Sequence, residues 1–349
     1  MLSRVTNSVT ACLLLAVRLM SGKIEGPEVL QLGAVSVPSG LSNDLIYAST
    51  SSASHSTSVL AFFGGDVQDY PENMLAHRDN KHYVEWSLTS VAALLATKFP
   101  THHIFVVKPN RMERKTFSCF DNFVESNSVG APTHQPGTAA TTHLAFLISE
   151  GLKKVQFRKG YHLPEETDDG ILPHPHLQSN EEQDLQQCTK ETSTCFQQNS
   201  DANSSDESNV EINDITLIGF SKGCVVLNQL ITEFHSMTTV KKLEDQVHKN
   251  FISKIHNMYW LDGGHAGGSK TWITAPAILK SLAALKHINI FIHVTPYQVR
   301  DEQRPWIRKE CKAFYDILRR AGAKVNYSLH FEDEPASLIL HFRILNKFI

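Results

Sequence analysis

Five residues past the middle of the chain, Gly219-Phe220-Ser221-Lys222-Gly223, have the form Gly-x-Ser-x-Gly. The chemistry they offer is nucleophilic attack. A serine hydroxyl is a poor nucleophile until it is held exposed on a tight turn beside a base, and this pattern builds such a turn between a strand and a helix. Because the pattern is short and made of common residues, its setting decides its weight. Here the apolar run Ile215-Thr-Leu-Ile218 leads straight into it and a helical pattern leaves it, the context a nucleophile elbow requires. The glycines tolerate a strained bend, and the helix start behind Ser221 presents a positive dipole end to a developing oxyanion. The competing reading is a phosphate-binding or purely structural strand–helix turn.

A serine nucleophile needs an imidazole and a carboxylate, which follow it in the order serine, acid, histidine on sheets of this kind. His341, in Leu340-His-Phe342 after the last strand, is the expected base. His330 competes but falls inside that strand, pointing sideways. Asp301 is the expected acid, after the strand ending at Thr295, with Asp262 after the preceding strand as the alternative and Glu302 a third candidate. An oxyanion hole takes one N–H from the residue after the nucleophile, here Lys222, and one from the loop after an earlier strand. Phe63-Gly64-Gly65-Asp66 is that loop, with Gly65 as the donor and Gly64 against the substrate. His265, within Gly263-Gly-His-Ala-Gly-Gly268, is expected either to line the pocket or to stabilise its turn.

The elements that must position these groups alternate. A β-hairpin spans residues 35–50, turning at Pro38-Ser39-Gly40, and further strands are read at 58–63, 103–108, 212–218, 255–261, 288–295 and 324–331. Helical periodicity marks 86–97, 139–152, 222–234, 275–284, 306–321 and 338–348. Strands alternating with helices, joined by right-handed crossovers, give a doubly wound, mostly parallel α/β sheet with helices on both faces. Ligands of such sheets sit beyond the carboxyl ends of the strands, where Ser221, Asp262 and Gly65 all fall.

Two stretches do not fit that rhythm. Residues 1–24 contain Arg4, Arg18 and Lys23, no acid, and an apolar run at 11–17 only. That run is far short of the ~20 residues a bilayer span needs. A mitochondrial presequence, matrix-directed, is the favoured reading, with a secretory signal as the alternative. Residues 163–213 are acidic and rich in Ser, Asn and Gln, a low-complexity insertion into the domain of residues 25–349. It is either a docking segment for a protein partner or a tolerated surface excursion. No other segment is long and apolar enough for a transmembrane helix.

Composition excludes several classes. Hydrophobic residues at 41% and charged residues at 20% suit a folded enzyme, and a net charge of −3 without a basic stripe argues against nucleic-acid binding. The six cysteines form no CxxC pair, so they read as free thiols of a reducing compartment. His102-His103 and His174-Pro-His176 lack ligand spacing, so neither a metal nor another cofactor is expected.

Three blocks, Ile218-Gly-Phe-Ser-Lys-Gly-Cys-Val-Val226, Tyr259-Trp-Leu-Asp-Gly-Gly-His265 and His293-Val-Thr-Pro-Tyr-Gln-Val299, resemble the vertebrate mitochondrial chromosome-2 open-reading-frame proteins, an α/β-hydrolase-like family. The resemblance covers most of the chain outside the presequence and the insertion. It implies an α/β-hydrolase fold, a mitochondrial location and a link to respiratory function, but no defined substrate. The functional expectation is a serine hydrolase of the esterase or lipase kind, cleaving an ester, thioester or related acyl bond of a small or lipid-like molecule. Its alternative is a non-catalytic scaffold or binding protein on the same fold. A nucleotide-binding α/β protein is weaker, because neither a Walker loop nor GxGxxG follows a strand.

Overall fold

A computed structural model describes residues 26–160, 211–240 and 246–349. The expected presequence, most of the insertion, and Cys12, Cys188, Cys195, His174 and His176 lie outside the described residues.

Eight strands form the central sheet: β1 (Glu28–Ser36), β2 (Ser42–Ser49), β3 (Ser58–Phe63), β4 (His102–Val107), β5 (Asp214–Phe220), β6 (Ile255–Leu261), β7 (Asn289–Val294) and β8 (Lys324–Leu329). Across the sheet they lie in the order β1-β2-β4-β3-β5-β6-β7-β8. β2 is antiparallel to both of its neighbours, and every other pairing is parallel. The longer helices are α1 (Leu88–Lys98), α2 (Ala139–Gly160), α3 (Cys224–Thr239), α4 (Gln246–Ser253), α5 (Pro276–Ala284), α6 (Pro305–Arg320) and α7 (Leu338–Lys347).

Strand β3 shows why both faces are covered. Successive side chains of a strand point to opposite faces. Val59, Ala61 and Phe63 enter one apolar cluster with helices α2 to α6, whereas Leu60 and Phe62 enter a second with α1 and α7. A strand buried on both sides reads as an unbroken apolar run, as this one does. A mostly parallel sheet sandwiched by helices, with a strand–elbow–helix at the end of β5, is the α/β-hydrolase fold.

The expected elements are all present, most with ends moved by a few residues, but β1 begins at Glu28 rather than residue 35 and α2 continues to Gly160. Helix α4 escaped the sequence reading because only Ile252 of it is fully buried, too little for a visible stripe. Two helices are tied together by a charge. Glu233 of α3 is buried and accepts the N–H groups of Ala140 (2.9 Å) and Thr141 (2.8 Å) at the start of α2. It satisfies donors that no intrahelical carbonyl reaches. Among the described residues no helix is long and apolar enough to cross a membrane.

Candidate active site

Ser221 occupies the turn between β5 and α3 with φ of 52°, in the left-handed region. That conformation costs a non-glycine residue about 1–3 kcal/mol and persists only where the surroundings enforce it. The enforcement comes from close backbone packing. A Cβ on Gly223 would lie 2.0 Å from the Phe63 carbonyl oxygen, so the start of α3 closes against the end of β3 only if that residue is glycine. A Cβ on Gly65 would lie 2.6 Å from Cβ of Ser221, so the loop after β3 passes directly over Ser221.

Register then places the acid. Phe220 of β5 pairs with Leu261 of β6, so Ser221 and Asp262 leave neighbouring strands at the same level. Asp262 also has a left-handed backbone, with φ of 49°. Its side chain is fully buried, and its carboxylate accepts three hydrogen bonds. Thr295, just past β7, donates its N–H to Oδ1 (2.7 Å) and its hydroxyl to Oδ2 (2.6 Å). The third comes from His341, whose Nδ1–H donates to Oδ2 at 2.6 Å. His341 sits in the first turn of α7, which is capped by Ser337 Oγ accepting the N–H of Leu340 at 3.3 Å. Its ring is flanked by Phe220 and Tyr297, with centroids 4.6 and 4.9 Å away. Hydrogen bond and ring contacts together fix tautomer and orientation, leaving Nε2 as the basic nitrogen.

The structure therefore corrects the expected acid. Asp301 does not reach His341: its Oδ1 accepts the N–H groups of Gln303 and Arg304, and its Oδ2 accepts Nε of Arg304 at 2.6 Å. Burial works the other way, but these bonds hold its carboxyl below the usual range. The cause lies in the exit from β7, where the helical turn Pro296–Val299 carries the chain past the imidazole before Asp301 is reached. Glu302 is exposed. His330, just beyond β8, pairs with His293 instead (Nε2 to Nδ1, 2.8 Å).

The prospective oxyanion hole also shifts by one residue. The Gly65 N–H is committed to Gln68 Oε1 at 2.8 Å, so it is not a free donor. The next residue, Asp66, lines the cavity at Ser221, and its N–H has no hydrogen-bond acceptor among the described residues. Asp66 and Lys222 are joined through their side chains. Lys222 Nζ lies 3.1 Å from Asp66 Oδ1 and donates to the Val129 carbonyl at 2.8 Å, with 1% of its side chain exposed. The Asp66 carboxylate also accepts the N–H of Ser118 at 2.8 Å. Burial raises the Asp66 pKa, and the Lys222 charge pulls it back down.

Ser221 and His341 line one cavity of about 230 Å³ with Asp66, His265, Tyr297 and Arg304. No hydrogen bond joins Ser221 Oγ to His341 among the described residues, and such bonds often tighten only when substrate is bound. His265 lines the cavity; its Nδ1 accepts the N–H of Gly267, and its Nε2 bonds the Lys270 carbonyl, each at 3.1 Å. Burial lowers its pKa. Gly64 is not part of the wall; it packs under Gln68 and Leu88. The sequence reading missed Thr295, Tyr297, Arg304 and the side-chain role of Asp66. Only Asp66 carried a signal, an acid directly after Gly64-Gly65 at a strand end. Among the described residues no group of three or more His, Cys, Asp or Glu is placed to hold a metal ion.

Residues 32–324 match the sequence profile of the C2orf69 family. The chain is 41% identical over 291 residues to mitochondrial protein C2orf69 of Homo sapiens, covering 82% of this chain and 73% of that protein. It is 39% identical over 298 residues to the Mus musculus homolog, covering 82% and 77%. The chain belongs to the C2orf69 family. Solved structures similar to this chain include esterase Est22, at 12% identity and a TM-score of 0.41 over 99% of this chain and 84% of that one. Another is a ferulic acid esterase, at 9% identity and a TM-score of 0.43 over 93% and 97%. The fold of this chain is carried by its own strand order and elbow.

Proposed function

We propose that this chain is a mitochondrial serine hydrolase that cleaves an ester, thioester or related acyl bond with Ser221, His341 and Asp262. The mitochondrial address follows the names of its relatives. The observation that carries the chemistry is the buried 2.6 Å hydrogen bond between Asp262 and His341, which share a sheet end with a serine in a strained elbow. Structural histidines seldom need a buried carboxylate held by two further donors, whereas a general base does.

His341 Nε2 takes the proton from Ser221 as Oγ attacks the acyl carbon. The oxyanion forms beneath the N–H groups of Lys222 and Asp66, and Asp262 stabilises the imidazolium. The imidazolium then protonates the leaving group. Water, activated by the same nitrogen, releases the acyl group from Ser221. The cavity lies below the ~300–1,000 Å³ typical of sites for drug-sized ligands, which favours a short acyl group.

A fluorophosphonate probe tests the reading. It should label the wild-type chain, and Ser221→Ala should abolish labelling. Folded protein that resists the probe would replace the enzyme with a non-catalytic scaffold on the same fold.

A further inference from the structure

We infer that Arg304 anchors an anionic group on the substrate, so that the acyl compound cleaved at Ser221 carries a carboxylate or phosphate. This rests on the hydrolase reading above. Arg304 lines the same small cavity as Ser221 and His341. A guanidinium has five N–H donors in a planar fork and no acceptor. Asp301 occupies Nε alone, at 2.6 Å, and its other oxygen is taken by two backbone N–H groups. No carboxylate is bonded to Nη1 or Nη2 among the described residues, and these atoms form the edge that grips carboxylate or phosphate with two parallel bonds.

The guanidinium is also held in place. It lies over the Tyr297 ring, 5.3 Å from the centroid, and that ring packs on His341 at 4.9 Å. Cation, phenol and imidazole thus line one wall, with a fixed offset between the anion grip and the base. Asp66, the acid that shares the cavity, already has a cation of its own: its Oδ1 lies 3.1 Å from Lys222 Nζ and accepts the Ser118 N–H. Burial lowers the pKa of His265 and so disfavours its charged form. Arg304 is left as the charged group with donors to spare. Asp301, read from the sequence as the catalytic acid, becomes the residue that aims it.

The test compares two esters of equal chain length on the full chain: mono-p-nitrophenyl glutarate, which is anionic, and p-nitrophenyl valerate, which is neutral. The wild type should favour the glutarate ester in kcat/KM. Arg304→Gln should lower the glutarate-to-valerate ratio by on the order of tenfold or more, and Arg304→Lys should restore only part of it, since an ammonium lacks the fork. A wild-type ratio of one or less, or a ratio unchanged in Arg304→Gln, overturns the inference. If neither ester is turned over and fluorophosphonate does not label Ser221, the hydrolase reading falls by itself. Calorimetry of Ser221→Ala with glutarate and with inorganic phosphate then decides the anion site. Binding of either that Arg304→Gln weakens tenfold supports it and names the group; no binding of either overturns it.

Discussion

Asp262 and His341, 79 residues apart in sequence, meet at 2.6 Å with 0% and 4% of their side chains exposed. Replacing that acid by an amide keeps the volume but removes the charge and the acceptor that fix the imidazole tautomer. Asp262→Asn should therefore lower kcat on p-nitrophenyl valerate by on the order of 10³–10⁴. Asp301→Asn should cost far less, since its carboxylate serves Arg304. Equal losses at the two positions would return Asp301 to the triad.

Lys222 and Asp66 pair across the two segments whose N–H groups face the oxyanion in the proposed mechanism. Lys222→Met leaves a largely buried carboxylate without its cation and should destabilise the protein by about 3 kcal/mol. Adding Asp66→Asn should recover part of that loss, because the uncompensated charge is gone. Urea denaturation of both single variants and the double variant gives the coupling energy; simple additivity would mean that the 3.1 Å contact contributes nothing.

Gly223→Ala puts a methyl group 2.0 Å from the Phe63 carbonyl oxygen, where backbone faces backbone and neither side can rotate away. Relieving it requires α3 to move off β3, at a cost of several kcal/mol. Soluble yield and Tm should both collapse. An alanine variant with wild-type Tm would mean that the helix can move off the strand at little cost.

His143 is buried, with Nε2 bonded to Asn43 Oδ1 at 2.8 Å, and burial lowers its pKa to about 4. In the unfolded chain it titrates near 6.5. Between those values the unfolded state binds the extra proton, so stability rises with pH there and is lost as pH falls through the window. The full loss below about pH 4 is on the order of 3 kcal/mol. His143→Gln keeps a donor for Asn43 and removes the titration, so its unfolding free energy should change less steeply from pH 6.5 to pH 4. Parallel wild-type and variant curves would contradict the assignment.

The sequence was most legible where a single stretch of chain carries the whole signal. The run at 58–63 reads as a strand because both of its faces are buried, and the elbow at 219–223 reads as one because strand, bend and helix are contiguous. Helix α4 and the short hairpin of Arg111–Glu113 with Phe117–Cys119 were invisible, since neither buries enough to impose a period. The Gly65 N–H, expected to face an oxyanion, is committed elsewhere. Whether its N–H is free depends on Gln68, a side chain that folds back from three residues ahead.

By itself, then, the chain determined that a hydroxyl stands at the carboxyl end of a buried strand and that an imidazole follows the last strand. Those features are local, set by side-chain periodicity and glycine spacing. Which carboxylate meets the imidazole was decided only by the tertiary structure. That choice depends on the register of β5 against β6 and on how the turn after β7 diverts the backbone, and neither is encoded in any short window of sequence. The same packing that pinned Asp262 between Thr295 and His341 released Asp301 to hold Arg304.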